Sequence, residues 1–385
     1  MAGRVMAKEM SGEILHCNAE YGPGSRLRTW ECVAERWVAR QELAMRKTIE
    51  RVLANLYPSP AWLPQAFDST FEWVRMVEFE QDDYRSAAFL DRRGLRPDMD
   101  AAAVPFSSLA EHTPAEARRD AHWIFHIGHV GSTLVSRLLG ELPGVFALRE
   151  PVVLRALPAM DAAAQNERLP VVRALLSRTF AAEQRALIKA TSYLSELAPA
   201  LVGPTSDGGK TLMIGMCAQR FIAARLDTPM IEPRARIPER MARLTRRAPA
   251  IDAAEASRDD AHVAAAAWAT EASALEAAAA AIGPERAQFL DFDQFLNAPV
   301  EGLEEVASHF AFATDREDLR RLIDGPVMTH HAKTGDNRFD PTTREARIAV
   351  RLTDHATEIG AAMRWLERLA KDAPSVAQAL DRAAV

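Results

Sequence analysis

Several features that would narrow the function at once are missing from this sequence of 385 residues. It has only three cysteines, Cys17, Cys32 and Cys217, which are too few and too scattered for a disulfide framework or a zinc cluster. No apolar run reaches the roughly 18 residues that span a bilayer. Residues 1–24 lack the apolar core and cleavage site of a secretion signal. A formal net charge of -6 gives no general reason to expect nucleic-acid binding. These absences predict a cytoplasmic protein without a membrane or nucleic-acid partner.

Lysine is also scarce, whereas arginine is abundant. The chain has 47 basic residues, and the lysines among them are Lys8, Lys47, Lys189, Lys210, Lys333 and Lys371. A lysine in such a chain suggests a place where a compact point charge fits better than a planar guanidinium. Two of these positions, Lys189 and Lys333, return below as candidate site residues.

The remaining composition is typical of a globular protein, with 48% hydrophobic and 26% charged residues. We divide the chain into four segments. Residues 1–57 are an N-terminal extension that becomes an amphipathic helix over Trp30–Leu56. Residues 58–118 are an α/β addition, residues 119–335 are the main domain, and residues 336–385 are a helical C-terminal segment.

The main domain alternates between two kinds of pattern. Short β-like runs at 122–127, 144–150, 186–192, 211–216 and 286–292 are separated by helical segments at 133–142, about 163–183, 217–226 and 254–282. This alternation predicts a three-layer α/β fold, in which helices flank a central parallel sheet. The N-terminal segments add a part of mixed character.

The most informative stretch is FHIGHVGSTLVSRLLG, residues 125–140. A β-like run leads through two glycines into a helical pattern, which is how backbone N–H groups are presented to a phosphate at a helix N-terminus. The lysine of the GxxxxGK[ST] loop is absent, which counts against a nucleoside triphosphatase. A plain strand-to-helix turn with a Ser/Thr cap stays open as the alternative.

The same residues resemble the sulfotransferase superfamily, whose loop has the form P-[KR]-x-G-[ST]-[ST]. When Gly131-Ser132-Thr133 is set on the end of that pattern, His129 takes the place of Lys or Arg and Gly128 that of proline. LDFDQFLNAPVEGLEEVASHFAF, residues 290–312, is similar to a segment near the end of these domains. The resemblance covers roughly residues 120–335 and implies the P-loop version of the three-layer fold.

The resemblance implies transfer of a sulfuryl group from 3′-phosphoadenosine 5′-phosphosulfate (PAPS) to a hydroxyl or amine of a small acceptor. It places the phosphosulfate on Gly128, His129, Val130, Gly131, Ser132 and Thr133. It also implies three catalytic residues: Glu150 as general base, Lys189 beside the transferring group and His129 beside the leaving group. A structural ion pair of Glu150 with Arg149 or Arg155 is the alternative for that residue.

Two departures from the family concern the 3′-phosphate of the donor. The positions that normally carry an arginine and a serine for this phosphate hold Met216 and Ala224. Arg220 or Arg225 is expected to substitute for them. Lys333 lies in a basic segment, residues 328–348, that either closes over the nucleotide or is a solvated loop.

Other functions remain open. The pair His330-His331 has no nearby cysteine or spaced carboxylates, so no metal is expected. The departures at the 3′-phosphate leave room for an inactive nucleotide- or anion-binding protein, and a phosphotransferase is the third alternative. The sequence names neither the acceptor nor the oligomeric state.

Overall fold

The computed structural model describes residues 46–249, 251–329 and 340–382. The strands of this part are β1 (Trp62–Phe67), β2 (Trp73–Glu78), β3 (Ala101–Pro105), β4 (His122–His126), β5 (Val145–Arg149), β6 (Arg185–Lys189), β7 (Thr211–Gly215) and β8 (Ala287–Asp291). Short 3₁₀ helices lie at Arg92–Gly94, Val152–Ala159, Ser192–Leu197 and Thr205–Asp207.

The α-helices of the described residues complete the element order. They are α1 (residues 46–54), α2 (Gln81–Ser86), α3 (Phe106–Glu111), α4 (Ser132–Gly140), α5 (Ala162–Leu176), α6 (Ala198–Val202), α7 (Ala218–Leu226), α8 (Ile231–Ala235), α9 (Ile237–Thr245), α10 (Ala253–Ala256), α11 (Asp260–Ile282), α12 (Phe292–Asn297), α13 (Pro299–Phe310), α14 (Arg316–Ile323), α15 (Pro326–Thr329), α16 (Pro341–Asp354), α17 (Ala356–Ala370) and α18 (Pro374–Arg382).

A central sheet of five parallel strands organises the protein. Its strand order is β5-β6-β4-β7-β8, and every neighbouring pair is parallel. This arrangement, with helices around the sheet, confirms the predicted three-layer α/β fold. Four of the five strands match the predicted runs to within one residue at each end. The run at 186–192 is the exception, because its strand ends at Lys189 and a 3₁₀ helix follows from Ser192.

The middle of the sheet is dry on both faces. All five residues of β4 are buried, including His122 and His126 at its two ends. Continuous burial is what a parallel sheet covered by helices requires, and it explains why this run shows no polar alternation. The chain passes from β4 to one side of the sheet for β5 and β6, then crosses to β7 on the other side of β4. The carboxyl end of β4 is therefore a topological switch point, where open α/β sheets bind ligands.

The longest helix of the described residues, α11, packs across the sheet. Its many alanines favour helix and leave a smooth surface that approaches other elements closely. Most of its side chains are buried, and it ends at Gly283 with φ 95°. The predicted segment 254–282 divides here into α10 and α11, because the Asp259 side chain accepts the His262 N–H at 2.9 Å and caps a new helix.

The N-terminal part contributes a separate three-stranded sheet. Strands β1, β2 and β3 are antiparallel neighbours in that order, with an irregularity between Pro64 and Ala66. A small core containing Trp62, Val74 and Met76 packs beneath it against α5. The predicted domain boundaries at residues 57, 118 and 335 remain predictions.

The predicted helix at Trp30–Leu56 falls partly outside the described residues, which include only its end as α1. The helices α16, α17 and α18 occupy most of the C-terminal segment. No helix in the described part of the chain combines the length and apolarity that crossing a membrane requires.

Candidate active site

The loop after β4 turns sharply into α4. Three of its residues have positive φ angles: Gly128 at 83°, His129 at 58° and Gly131 at 63°. The backbone N–H of Gly128 donates to His126 Nδ1 at 3.0 Å, so His126 Nε2 carries the ring proton and donates to the Ala190 carbonyl, also at 3.0 Å. His126 thus ties the start of the loop to the end of β6. The N–H of Gly128, one of the six that the resemblance assigns to the phosphosulfate, therefore already has a hydrogen bond within the protein.

The other end of the loop keeps its amides available. Within the described residues, the N–H groups of Gly131, Ser132 and Thr133 make no hydrogen bond, whereas Val135 N–H donates to the Gly131 carbonyl at 3.1 Å. No side chain caps α4. Orphan N–H groups and the helix dipole together favour a bound anion.

Two features require glycine at position 131: its positive φ angle and the close approach of Phe292. A Cβ at this position would overlap the ring of Phe292 and lie 2.6 Å from its Cδ2 atom. Phe292 opens α12 and is only 2% exposed, so the ring has no room to withdraw. The close packing of Phe292 on Gly131 fixes the position of the orphan amides.

A buried ion pair lies at the carboxyl ends of the two strands beside β4. Lys189, the last residue of β6, is 1% exposed and its Nζ binds Glu150 Oε1. Glu150 follows β5 directly, and its backbone N–H donates to the Lys189 carbonyl at 2.7 Å. Glu150 has φ 52°, a left-handed conformation that is uncommon for a residue with a side chain and that concentrates at functional sites.

The second carboxylate oxygen of Glu150 accepts from Arg155 Nη2 at 3.3 Å. Arg149, the other predicted ion-pair partner of Glu150, binds backbone carbonyls instead. Its Nη1 donates to the carbonyls of Tyr84, Arg85 and Ala87 at 2.9–3.3 Å, so it joins the N-terminal part to the central sheet. Glu150 therefore has structural partners, Lys189 and Arg155, and lies in the site at the same time.

The loop and the ion pair face one cavity of about 400 Å³. Its lining includes His126, residues 129–134, Glu150 and Lys189. Arginines from two helices complete the wall: Arg225 from α7, and Arg344 and Arg347 from α16. Positive charge thus reaches a single space from the N-terminus of α4, Lys189, Arg225, Arg344 and Arg347. This arrangement is suited to a ligand with several negative charges.

Carboxylates outside the loop hold these arginines. Asp293 accepts from Arg344 Nη1 at 2.6 Å, and Asp227 lies 3.9 Å from Arg347. Asp291, the acidic strand end in the sequence, caps α12 by accepting from the Asp293 and Gln294 N–H groups at 2.8 and 3.0 Å. Burial raises the pKa of the Asp291 carboxyl. Asp293, which lies just after β8, therefore holds Arg344 in the cavity wall.

His129 stands at the edge of the cavity. Its Nδ1 is 3.4 Å from Arg225 Nη1, and because a guanidinium only donates, Nδ1 acts as the acceptor. In the neutral ring the proton is then on Nε2.

The structure brings most of the predicted residues together. His129, Val130, Gly131, Ser132, Thr133, Glu150 and Lys189 line the same cavity, as does Ala224. Gly128 lines a smaller cavity that shares His129 and Glu150 with the large one, and Met216 lines another cavity. Their roles in binding and catalysis stay predictions.

The predicted nucleotide ligand Arg220 is engaged within the protein. Arg220 lies outside the lining of the cavity, and its guanidinium binds Asp293 and Glu345. These two hydrogen bonds, the one to Glu345 first, raise the pKa of Arg220. Arg225, five residues further along α7, is the arginine that lines the cavity. Lys333 lies outside the described residues.

Sequence reasoning missed Phe292, Asp227 and Arg347. A signal was present for Arg347, because it follows Arg344 by three residues and such pairs share a face of a helix. Phe292 gave no signal, since its role depends on contact with Gly131 across the fold. Within the described ranges, no group of three or more His, Cys, Asp or Glu residues could hold a metal ion.

Neither the protein-family models nor the curated protein sequences match this chain. Among solved structures, it is similar to the sulfotransferase domain from the curacin biosynthetic pathway, with 13% identity over 66% of this chain and 98% of the other and a TM-score of 0.38. A sulfotransferase from Alicyclobacillus acidocaldarius gives 14% identity over 64% and 96%, with a TM-score of 0.35. A mouse sulfotransferase complexed with PAP gives 10% identity over 72% and 92%, with a TM-score of 0.41.

These solved structures are sulfotransferases, the family that the loop sequence resembles.

Proposed function

We propose that this chain is a sulfotransferase that moves a sulfuryl group from PAPS to a hydroxyl or amine of a small acceptor. One observation carries the proposal: the orphan amides of Gly131, Ser132 and Thr133 open onto the same cavity as the Glu150–Lys189 pair. An anion held by the amides therefore lies beside a carboxylate that can take a proton.

The donor fits the charges of the cavity. Its 5′-phosphosulfate would accept hydrogen bonds from the amides and hydroxyls at the start of α4. Its 3′-phosphate would bind arginines of α7 and α16, of which Arg225 is 7% exposed and held inside the wall. Arginine recognises phosphate through two parallel N–H groups. These side chains take over the task that Met216 and Ala224 cannot perform.

The chain would contribute three effects to the reaction. As a new bond forms between the acceptor oxygen and sulfur, and the bond between sulfur and the bridging phosphate oxygen breaks, the acceptor proton passes to the Glu150 carboxylate. Lys189 stabilises negative charge on the transferring oxygens. His129 Nε2–H and the amides of α4 stabilise the phosphate that leaves as PAP. Positioning and electrostatics supply most of the rate, as in phosphoryl transfer.

Calorimetric titration tests the donor. PAP, adenosine 5′-phosphosulfate and ATP with magnesium are titrated into the wild-type protein and into Arg347→Gln. A hydrogen bond to a charged group contributes about 1.5–3 kcal/mol, so we expect the variant to bind PAP about 10- to 150-fold more weakly. Adenosine 5′-phosphosulfate lacks the 3′-phosphate, so its affinity should change little.

Arg234→Gln is the matched control, because Arg234 is half-exposed, pairs with Asp260 and lies outside the cavity lining. Binding of ATP with magnesium but not PAP would favour the phosphotransferase instead. The absence of binding for all three nucleotides would contradict a nucleotide-dependent function.

A further inference from the structure

Residues 89–93 of the N-terminal part reach the ion pair of the site. The backbone N–H of Leu90 donates to the carbonyl of Arg149, the last residue of β5, at 2.7 Å. The buried ring of Phe89 lies 5.4 Å from Lys189 Nζ, a distance at which the face of an aromatic ring attracts a cation. This segment therefore contacts the site both through its backbone and through a side chain.

Asp91 is the anion of this segment, and Arg93 fixes its position. The Asp91 carboxylate accepts the Arg93 backbone N–H at 2.9 Å and caps the 3₁₀ helix Arg92–Gly94. The Arg93 guanidinium binds both carboxylate oxygens at 2.6–3.1 Å. Burial favours the neutral carboxyl, but the hydrogen bonds from Arg93 outweigh it and lower the pKa of Asp91. Asp91 is therefore a negative charge held in one place.

Arg155 lies between this carboxylate and that of Glu150. Its Nη2 atom is 3.3 Å from Glu150 Oε2 and 3.9 Å from Asp91 Oδ2. Its Nε atom is buried and has no hydrogen-bond partner among the residues that the structure describes. Within the same residues, the two carboxylates are the charged groups that pair with this guanidinium, so they decide where it lies.

Glu150 is held at both carboxylate oxygens, at one by Lys189 and at the other by Arg155. With Asp91 and Arg93 these groups form a row in which positive and negative charges alternate. Because Arg155 is partly exposed, loss of Asp91 would let it turn toward water and away from Glu150. The orientation of a reacting group decides the rate, since a misplacement of about 1 Å can cost about 100-fold.

From these contacts we infer that Asp91 is a positioning residue, which holds Arg155 so that Arg155 orients the Glu150 carboxylate. The inference rests on the proposed function, because it deepens the role of Glu150 as the group that takes the acceptor proton. It also gives the N-terminal part a task in the reaction, although this part lies outside the residues that resemble sulfotransferases.

Steady-state kinetics separate positioning from a purely structural role. PAP release from PAPS is followed with water, 4-nitrophenol or glucosamine as the acceptor. In Asp91→Asn we expect kcat to fall about 10- to 100-fold, while the KM for PAPS keeps its wild-type value. Asp98→Asn is the matched control, because Asp98 is exposed and pairs with Arg96 in the same part of the chain. This control should leave kcat unchanged.

Two further variants keep the inference testable if Asp91→Asn does not fold. Arg93→Gln removes the guanidinium that fixes Asp91 and should lower kcat in the same direction. Arg155→Gln removes the residue through which Asp91 acts, so adding Asp91→Asn to it should cause little further loss of kcat.

Equal kcat in the wild type and Asp91→Asn would contradict the inference even when the wild type releases PAP normally. So would a loss from Asp91→Asn that is as large in the Arg155→Gln background as without it. If the wild type releases no PAP with any acceptor, the proposed function fails instead. Urea midpoints of the single and double variants at Asp91 and Arg155, and at Arg155 and Glu150, then decide the inference. Losses that are less than additive in both pairs support the row of contacts, and additive losses contradict it.

Discussion

Replacing Gly131 with alanine tests whether the loop geometry is what makes the site. Two costs combine at this position. A left-handed backbone costs a residue with a Cβ roughly 1–2 kcal/mol, and Gly131 has φ 63°. Overfilling a packed core costs typically about 1–3 kcal/mol, and the new Cβ overlaps the Phe292 ring. We therefore expect the free energy of unfolding to fall by about 2–5 kcal/mol.

The same substitution should weaken PAP binding. The Cβ can be accommodated only if the loop moves away from Phe292, which turns at least one amide away from the anion. Loss of one hydrogen bond to a charged phosphate costs about 1.5–3 kcal/mol, or about 10- to 150-fold in the dissociation constant. Urea unfolding and PAP calorimetry on the same preparations measure both effects.

Gly208→Ala is the control, since Gly208 has φ 73° and ψ 5° but its Cβ would meet only Arg185 Nη1 at 4.0 Å. It should show the backbone cost of about 1–2 kcal/mol and normal PAP binding. Adding Phe292→Leu removes the overlapping ring atoms and should make Gly131→Ala less costly by at least about 1 kcal/mol. Equal costs at Gly131 and Gly208, or unchanged PAP affinity in Gly131→Ala, would refute the reasoning.

Two further predictions concern Glu150 and His122. Glu150→Gln keeps an oxygen for the Lys189 ammonium but cannot take a proton, so turnover in a PAPS-dependent assay should fall about 10²–10⁴-fold while PAP affinity is retained; normal turnover would exclude it as the base. Burial lowers the pKa of His122 to about 3, from an ordinary value of 6.5. Between these values the unfolded chain binds a proton that the folded chain does not, so the free energy of unfolding falls by at most about 1.4 kcal/mol for each unit by which the pH is lowered. His122→Gln can still bond the Phe310 carbonyl and the Lys210 N–H, which lie 3.0 and 3.1 Å from the histidine nitrogens. Its free energy of unfolding, measured with urea, should fall less than that of the wild type between about pH 7 and about pH 5. An equal fall in the two proteins would contradict this assignment.

The fold could be predicted from the sequence because its signals are local. Alternating β-like and helical runs identify a parallel sheet, and apolar residues along β4 report burial on both faces. The ends of an element depend on capping side chains, which the periodicity of the sequence does not show. The division between α10 and α11 depends on Asp259, a capping residue inside an alanine-rich run that offers no other break.

The candidate site was predictable where its residues end strands of one sheet. Parallel strands bring their carboxyl ends to one edge, which is why Glu150 and Lys189 could be paired with the loop before any coordinates. Arg220 and Arg225 could not be separated in this way. They are five residues apart on one helix, and only the positions of Asp293 and Glu345 decide that Arg220 pairs within the protein. The contact between Gly131 and Phe292 depends equally on the assembled fold.

A crystal structure of the PAP complex tests the central claim most directly. We expect the 5′-phosphate oxygens to lie about 2.7–3.2 Å from the backbone nitrogens of Gly131, Ser132 and Thr133, with Glu150 facing the position of the departed sulfuryl group. A nucleotide bound elsewhere, or a phosphate that leaves these amides to water, would contradict the account.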